Sequence, residues 1–561
     1  MYILGISSYY HDSAAALIKD GQVIAAVEEE RFSRVKHDNS FPYQAIEFCL
    51  RYGNISIENI DVIAYYEKPL LKFERILETF IETFPFALKP FLKAMPEWLD
   101  YKIKIEQTIR KKLGFHGRIY FIPHHFSHAS AAFFPSPFNK AAILTIDGVG
   151  EYQTTGLYQG EENKIYPLKS IDFPHSLGLL YSTFTSFLGF KVNEDEYKVM
   201  GLAAYGKPIY LKKISSLIKV RDDGSFQLNL DYFSFRESFT MWSKKFEKVF
   251  GKPRLPNDQI TLRDKNLAAS IQKATEEIYF KILNHLYSLT PSENLCVSGG
   301  VALNALANGK IYQNTPFKNV YIFGAAGDSG ASLGSALFVY HQLLANKKRN
   351  KITCLYFGSH YSDSDIEKEL KRFNLKYQRF DEESLVKTTA RLLAEGKIVG
   401  WFQDRMEFGP RALGGRSILC KPHPRSMKRR MNIIKKREQF RPFAGSILQE
   451  NVEEYFIVPE KAHWSPFMTF CFQVKKDKRR ELAAIVHEDG SCRIQTVNRK
   501  NGLYYQLIYE FYKTTGIPCL LNTSFNLKGE PIVENPKQAI EDFLKTKMDY
   551  LVIGSFIVGK G

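Results

Sequence analysis

The chain has 561 residues, 44% of them hydrophobic, which is enough to bury substantial cores and predicts roughly two to four domains. A formal net charge of +17 suits anionic ligands, anionic surfaces or nucleic acid, but 60 acidic residues interleaved with 77 basic ones exclude a simple polycation. Seven scattered cysteines with no CxxC pair exclude a disulfide framework and a cysteine zinc module, and fit a reducing cytoplasm.

Residues 2–6 read as a strand at the very start of the chain, with no basic leader ahead of it, so a cytoplasmic location is expected. Strands follow at 13–18 and, after the Asp20-Gly21 turn, at 22–28, the pattern of a β-meander. The most apolar neighbourhood, 79–95, is broken by Glu82, Pro85, Lys89, Pro90 and Lys93, which excludes an unaided membrane span. It reads as an aromatic-rich helical insertion, with contact to a membrane surface as the second reading. Strands at 141–146, 153–159 and 165–168 then repeat the opening, and each opening carries an acid near its first turn, Asp12 and Asp147. Duplicated α/β halves are expected, as in actin-like or sugar-kinase-like lobes that hold nucleotide or phosphate ligands.

Between the two openings lies Pro123-His124-His125-Phe126-Ser127-His128. Imidazoles at i and i+4 share one helix face about 5–6 Å apart, so His124 and His128 can reach a single ion. Asp147, at the end of the buried run 141–146, and Asp328, in the glycine-rich turn 324–330, can complete its shell. Two histidines with two carboxylates suit divalent iron, zinc or manganese. An isolated HxxxH is more often incidental, and His125 is an alternative inward-facing residue.

Gly299-Gly300 follows a strand at 295–297, and Asn304 follows it into a helix. This turn either shapes the chain tightly or offers helix N-terminal amides to an anion. The turn at Gly327 repeats the design and starts a helix running to about Leu344. Residues 346–351 are polar and charged and read as a linker, so a first domain of 1–346 and a second of 347–561 are expected. In the second, Glu407-Phe408-Gly409-Pro410-Arg411-Ala412-Leu413-Gly414-Gly415-Arg416-Ser417-Ile418-Leu419 places two guanidinium forks five residues apart on a glycine-shaped loop. Residues 432–443 are dense in cations, among them Lys435, Arg437 and Arg441, and interrupted by aromatics; an RNA-binding face, a solvated helix face and a ligand-holding guanidinium at Arg441 are all compatible with that pattern. Asn522-Thr523-Ser524 ends an apolar strand in small hydrogen-bonding side chains, where α/β sheets commonly hold ligands.

Taken in order, these motifs resemble those of the O-carbamoyltransferase family, which includes nodulation-factor, cephalosporin, aminoglycoside and ansamycin carbamoyltransferases. The likeness runs almost end to end. It rests on Leu4-Gly5-Ile6, His11-Asp12-Ser13-Ala14-Ala15, the run Glu28 to His37, His124 to Ala129, His175-Ser176-Leu177-Gly178 and Tyr197 to Gly206. Further on it rests on the glycine-arginine loop, Lys435/Arg437/Arg441, Val486-His487 with Asp489-Gly490, and Asn522 to Asn526. Local departures are Arg416 and Lys436, where relatives often carry asparagine and histidine, Gly445 in place of proline, and Ser491 in place of threonine.

The resemblance implies an α/β chain with two parts: a duplicated, actin-like, threonylcarbamoyl-transferase-like first domain and a YrdC-like second domain. It implies a transferase that makes carbamoyl-adenylate from carbamoyl phosphate and ATP in the second domain, with Mg2+ on the ATP, and passes the carbamoyl group to a hydroxyl of a small sugar or natural product in the first. Arg411, Arg416, Lys435, Arg437 and Arg441 would form the cationic cradle, with Ser417, Asn522, Thr523 and Ser524 orienting the amide and phosphate. His124, His128, Asp147 and Asp328 map onto the family's metal site, with Fe(II) the implied ion. His11 and Asp12 become candidates for contacting or deprotonating the acceptor, or for bracing a turn. Lys36 and Lys198 become candidates for neutralising the adenylate, or simple surface lysines. Neither nucleic acid nor a membrane span is expected, and a homodimer is compatible. A tRNA threonylcarbamoyl-adenosine enzyme is the alternative; hydrogenase-maturation relatives carry an acylphosphatase-like unit and cysteine-paired zinc modules that do not occur in this sequence.

Overall fold

In the computed structural model, which describes residues 1–459 and 464–560, the chain forms two units. The first comprises Met1–Ile24, Asn39–Ala307 and Ile311–Lys351; the second comprises Ala25–Asp38, Asn308–Lys310 and Ile352–Gly561.

The first unit contains two sheets of one design. β1 (Tyr2–Ser7), β2 (Ala14–Lys19) and β3 (Gln22–Glu28) open the first, and β4 (Val62–Tyr65) and β5 (Arg118–Phe121) complete it in the order β3-β2-β1-β4-β5. The second is opened by β6 (Lys140–Ile146), β7 (Gln153–Glu161) and β8 (Lys164–Asp172) and completed by β9 (Asn294–Ser298) and β10 (Asn319–Ile322), in the order β10-β9-β6-β7-β8. In each, the first strand pairs antiparallel with the second and parallel with the fourth. The duplication expected from the repeated openings is therefore present strand for strand. Central strands that take part in parallel pairing are buried on both faces, and Leu144, Leu295 and Val297 are fully enclosed, each contributing about 1.5–3 kcal/mol.

Two helices meet above these sheets, His124–Phe133 and Asp328–Phe338. Their closeness depends on Gly334, where a Cβ would lie 1.9 Å from the Ser127 carbonyl oxygen, so any side chain there would force the helices apart. Between β4 and β5, where a parallel crossover needs one helix, the chain inserts Pro69–Thr83, Leu88–Glu97 and Ile105–Leu113. That is the helical insertion foreseen from composition.

The second unit is built on a ten-stranded mixed sheet. At its centre Arg416–Cys420 pairs antiparallel with Val399–Phe402 and with Cys519–Ser524, and the latter pairs antiparallel with Ala444–Leu448. Residues 25–38 are an integral part of this unit. Arg31 is buried and donates to the Gly409 carbonyl at 2.8 Å, Glu28 accepts from the Gly409 amide at 2.7 Å, and Arg34 donates to the carbonyls of Ile532 and Pro531 at 2.7 and 2.9 Å.

Candidate functional site

The helix His124–Phe133 starts where Glu151 accepts the His124 amide at 3.0 and 3.1 Å, so the carboxylate takes the place of a capping side chain at an end that carries partial positive charge. One turn later the ring of His128 lies over the same face. His124 Nε2 and His128 Nε2 are 3.0 Å apart, and Asp147 Oδ2 lies 3.1 and 3.2 Å from them. Asp328 Oδ1 closes the group at 3.3 Å from His128 and 3.7 Å from His124. His128 and Asp328 are buried with His124, and Asp147 is half-buried.

Each carboxylate is aimed by backbone. Asp147 follows β6, and its Oδ1 accepts from the Gly148 amide at 2.8 Å and the Gly300 amide at 3.2 Å, leaving Oδ2 for the histidines. Gly299 holds φ +96°, and a Cβ on Gly300 would lie 2.9 Å from Asp147 Oδ1, so the glycine pair is what lets the turn grip this carboxylate. Asp328 is the first residue of its helix, where the helix dipole favours a negative charge, and its Oδ2 is buried without a hydrogen-bond partner.

Burial alone would lower the basicity of His128, but the carboxylates of Asp147 and Asp328 outweigh it and push its pKa up to about 9. Burial would raise Asp147, yet its bonds to His124 and His128 hold it well below the usual carboxylate range. His125 differs: burial first, then the neighbouring histidines, push it down to about 3, and both its nitrogens are engaged, with Thr145 Oγ1 at 2.7 Å and the Gln153 carbonyl at 2.9 Å. His125 is thus the inward structural histidine, and His124 and His128 the outward pair.

The quartet fits a divalent cation. Two imidazole nitrogens facing each other at 3.0 Å cannot both hold a proton on that axis, and both can direct lone pairs at one ion. Donors bound at about 2.1 Å are spaced by about 3.0–3.4 Å, close to four of the five separations here. With neutral imidazoles the two carboxylates carry the countercharge, and the N2O2 set suits iron, zinc or manganese.

His11 stands beside this group. Its Nδ1 is 2.9 Å from Asp12 Oδ2, and its Nε2 is 3.9 Å from Asp328 Oδ2. Burial would lower it, but Asp328 and Asp12 hold it up at about 10. Asp12 takes φ +52°, a left-handed turn that places its carboxylate back against the preceding ring.

A second concentration of charge lies in the second unit. Lys435 is buried, and its Nζ donates to the carbonyls of Ser524 and Asn526, to Asn526 Oδ1 at 2.6 Å and to Ser524 Oγ at 3.3 Å. Burial, then Arg437 and Arg441, then Lys36 hold its pKa well below the ordinary lysine value, although Asp542 opposes them. Four cations therefore share one neighbourhood. Arg437 is fixed by Asn432 Oδ1 at 2.7 Å and stacks 4.1 Å above Phe443, while Arg441 Nη1 is 3.8 Å from Glu438. Such charges are stable together when a polyanion neutralises them.

Family models describing the carbamoyltransferase N-terminus and C-terminus match residues 2–337 and 390–560. The chain belongs to the carbamoyltransferase family. An uncharacterized protein of Synechocystis sp. is 46% identical over 100% of this chain and 97% of its own length. Nodulation protein NolNO of Sinorhizobium fredii is 39% identical over 99% of this chain and 80% of its own. Among solved structures, component A of the (R)-2-hydroxyglutaryl-CoA dehydratase of Acidaminococcus fermentans is similar over 61% of this chain and 99% of that one, at 16% identity and a TM-score of 0.35. The carbamoyltransferase is a mixed α/β enzyme, with a duplicated pair of five-stranded sheets in its first part and a ten-stranded mixed sheet in its second among the described residues.

Several candidate residues of the carbamoyltransferase also make contacts within its framework. Arg416 is fully buried, its guanidinium 3.7 Å from the Phe402 ring centroid, and it donates to the carbonyls of Gln403 (2.6 Å), Asp404 (3.2 Å), Gly415 (3.0 Å) and Ser359 (3.1 Å). Burial pushes it down to about 10. It shapes the loop from inside and leaves Arg411 as the half-buried guanidinium of the pair. Asn304 is paired both ways with Gln272, at 3.0 and 3.1 Å. The Gly299-Gly300 amide goes to Asp147, Lys198 goes to Asp195 at 2.8 Å, and Ser417 Oγ accepts from the Gly414 amide at 3.2 Å. Asn522 is buried, donating to Ser446 Oγ at 3.0 Å and the Ala412 carbonyl at 3.2 Å; Thr523 is half-buried opposite Ile418, and Ser524 Oγ donates to Asn526 Oδ1 at 2.7 Å. Glu407, which opens the glycine-arginine block, is buried and takes the amides of Leu413, Gly415 and Arg416 at 2.6, 2.7 and 3.2 Å.

Proposed function

We propose that the enzyme is an ATP-dependent O-carbamoyltransferase that activates carbamoyl phosphate in the second unit and carbamoylates a small-molecule hydroxyl in the first. The observation that carries this reading is the buried His124/His128/Asp147/Asp328 quartet with His11 beside it, in a chain of this family.

In the second unit, carbamoyl phosphate loses phosphate to water, the carbamate oxygen attacks the α-phosphorus of Mg2+-bound ATP, and pyrophosphate leaves with the electron pair of the broken P–O bond. Lys36, Lys435, Arg437 and Arg441, with Arg411 from the glycine loop, supply the fixed positive charge that this crowd of phosphate oxygens requires. Lys435, held by the carbonyls after the strand Cys519–Ser524, cannot swing away, and so keeps its ammonium in place for the anion.

In the first unit, the acceptor oxygen attacks the carbamoyl carbon of carbamoyl-adenylate, and AMP departs. A divalent ion held by His124, His128, Asp147 and Asp328, iron by the family resemblance, would supply Lewis acidity and countercharge for a phosphate there. His11, oriented through Nδ1 by Asp12 and kept protonated by its carboxylate neighbours, contacts the acceptor oxygen through Nε2–H, and the hydroxyl proton leaves with AMP. Carrying both reactions on one chain shortens the exposure of a water-labile anhydride.

An ATP–pyrophosphate exchange assay tests the activation step. Exchange that requires carbamoyl phosphate supports it; exchange that requires threonine and bicarbonate would assign the chain to the tRNA-modifying alternative.

A further inference from the structure

The helical insertion between β4 and β5 turns its faces the wrong way round for a soluble surface. Helix Pro69–Thr83 buries Pro69, Lys72, Arg75 and Thr83 and exposes Leu70, Leu71 and Ile81. Lys72 is paired with Glu67 and lies 4.6 Å from the Tyr10 ring centroid, and Arg75 lies over Phe173, so the polar face is held by the body of the first unit. The next helix, Leu88–Glu97, has no buried residue. Yet Leu88, Phe91, Leu92 and Met95 fall at i, i+3, i+4 and i+7, a full apolar stripe.

Phe91 of that stripe stacks on Phe80 at 4.0 Å, pinning the hairpin together. Around it Ile81, Phe84, Phe86 and Leu92 stand 61–74% exposed, and Phe239, 65% exposed, joins them through Lys93, whose ammonium lies 4.9 Å from its ring centroid. Single exposed apolar residues need no explanation; five on one tip do. Side chains this exposed protrude, as those that enter a soft phase do. Residues 83–96 contain Lys89 and Lys93 and no acid, on a protein with net charge +17. Aromatic and aliphatic side chains flanked by lysines are the chemistry of an interfacial helix on an anionic bilayer.

We infer that the Phe84–Leu92 tip docks the enzyme onto an anionic phospholipid surface, inserting Phe84, Phe86 and Leu92 while Lys89 and Lys93 meet the headgroups. Among the described residues no helix is long and apolar enough to cross a membrane, so the attachment is peripheral and reversible. This inference stands independently of the carbamoyl chemistry.

The full chain is mixed with vesicles of phosphatidylcholine, or of phosphatidylcholine with phosphatidylglycerol, and floated on a density gradient. Wild type should float with the mixed vesicles. Phe84→Ser/Phe86→Ser should lower partitioning by about tenfold or more, and Lys89→Glu/Lys93→Glu should remove the preference for the anionic vesicles by about the same factor. Circular dichroism and the thermal melting midpoint should be unchanged in both, showing that they fold. Wild type that stays in solution, or variants that float equally well, would overturn the proposal. So would a concentration-dependent dimer that Phe84→Ser/Phe86→Ser dissolves, since the patch would then belong to a second copy.

Discussion

The donor quartet of the first unit takes its side chains from one helix turn, one strand end and one helix start, whereas the cationic cluster of the second unit is carried by the loop that follows the helix Ser426–Ile434. In the first, rigid elements aim four atoms inward at one point, and the charges of opposite sign satisfy one another. In the second, charges of one sign are crowded together and held by carbonyls, amides and an aromatic face. One geometry is complete without a polyanion; the other is balanced by one. On the proposed reading, the contrast teaches that one chain would prepare a cation site by convergence and an anion site by confinement.

The sharpest way to break this pairing is to remove a converging ligand. Asp147→Ala should abolish bound metal and lower carbamoyl transfer by at least about a hundredfold, while pyrophosphate exchange persists; metal analysis and the two half-reactions measured side by side check it. The reverse dissociation is expected of Arg441→Ala, with exchange reduced on the order of a hundredfold and metal content intact. If both variants lose both activities in proportion, the two sites do not divide the labour.

A smaller change sharpens the account of how Asp147 is aimed. Gly300→Ala places a methyl 2.9 Å from Asp147 Oδ1 and should weaken metal affinity by about tenfold, read by competition with a chelator. The smallest effect concerns the surroundings of Lys435. Burial, with Glu530 adding to it, raises Asp542 to about 7, against roughly 3.9 when unfolded. Between these values the unfolded chain has released the proton that the folded chain keeps, so this residue's contribution to stability declines as pH rises from about 4 to about 7 and is flat above. Asp542→Asn should therefore be neutral near pH 4 and stabilising by on the order of 1 kcal/mol at pH 8, measured as the urea midpoint at each pH.

Local spacing made the quartet legible. HxxxH is a statement about one helix face, and Asp147 and Asp328 sit where a strand ends and a helix begins, so short-range pattern was enough to nominate all four. The duplicated sheets were legible for the same reason, since each opening repeats within its own few dozen residues. The partners of Arg416 were not legible because a guanidinium's sequence neighbours do not reveal which carbonyls will surround it, nor was the partner of Asn304, because Gln272 is distant in sequence. Glu407 stood in a nominated block, but its role there was not legible, because an acid reads the same whether it faces water or three backbone amides. The company of Lys36 with Lys435 could not be read either, as nearly four hundred residues separate them.

The segment Ala25–Asp38 has a consequence for how this protein is made and divided. Its Arg31 and Arg34 leave the ribosome hundreds of residues ahead of the carbonyls they grip, at Gly409, Pro531 and Ile532. The nascent chain must hold that strap in reserve through most of translation. A gene split at the linker would likewise strand it on the wrong product, so a fragment of residues 352–561 lacks part of its own framework, and supplying residues 25–38 as a separate peptide should restore its resistance to protease.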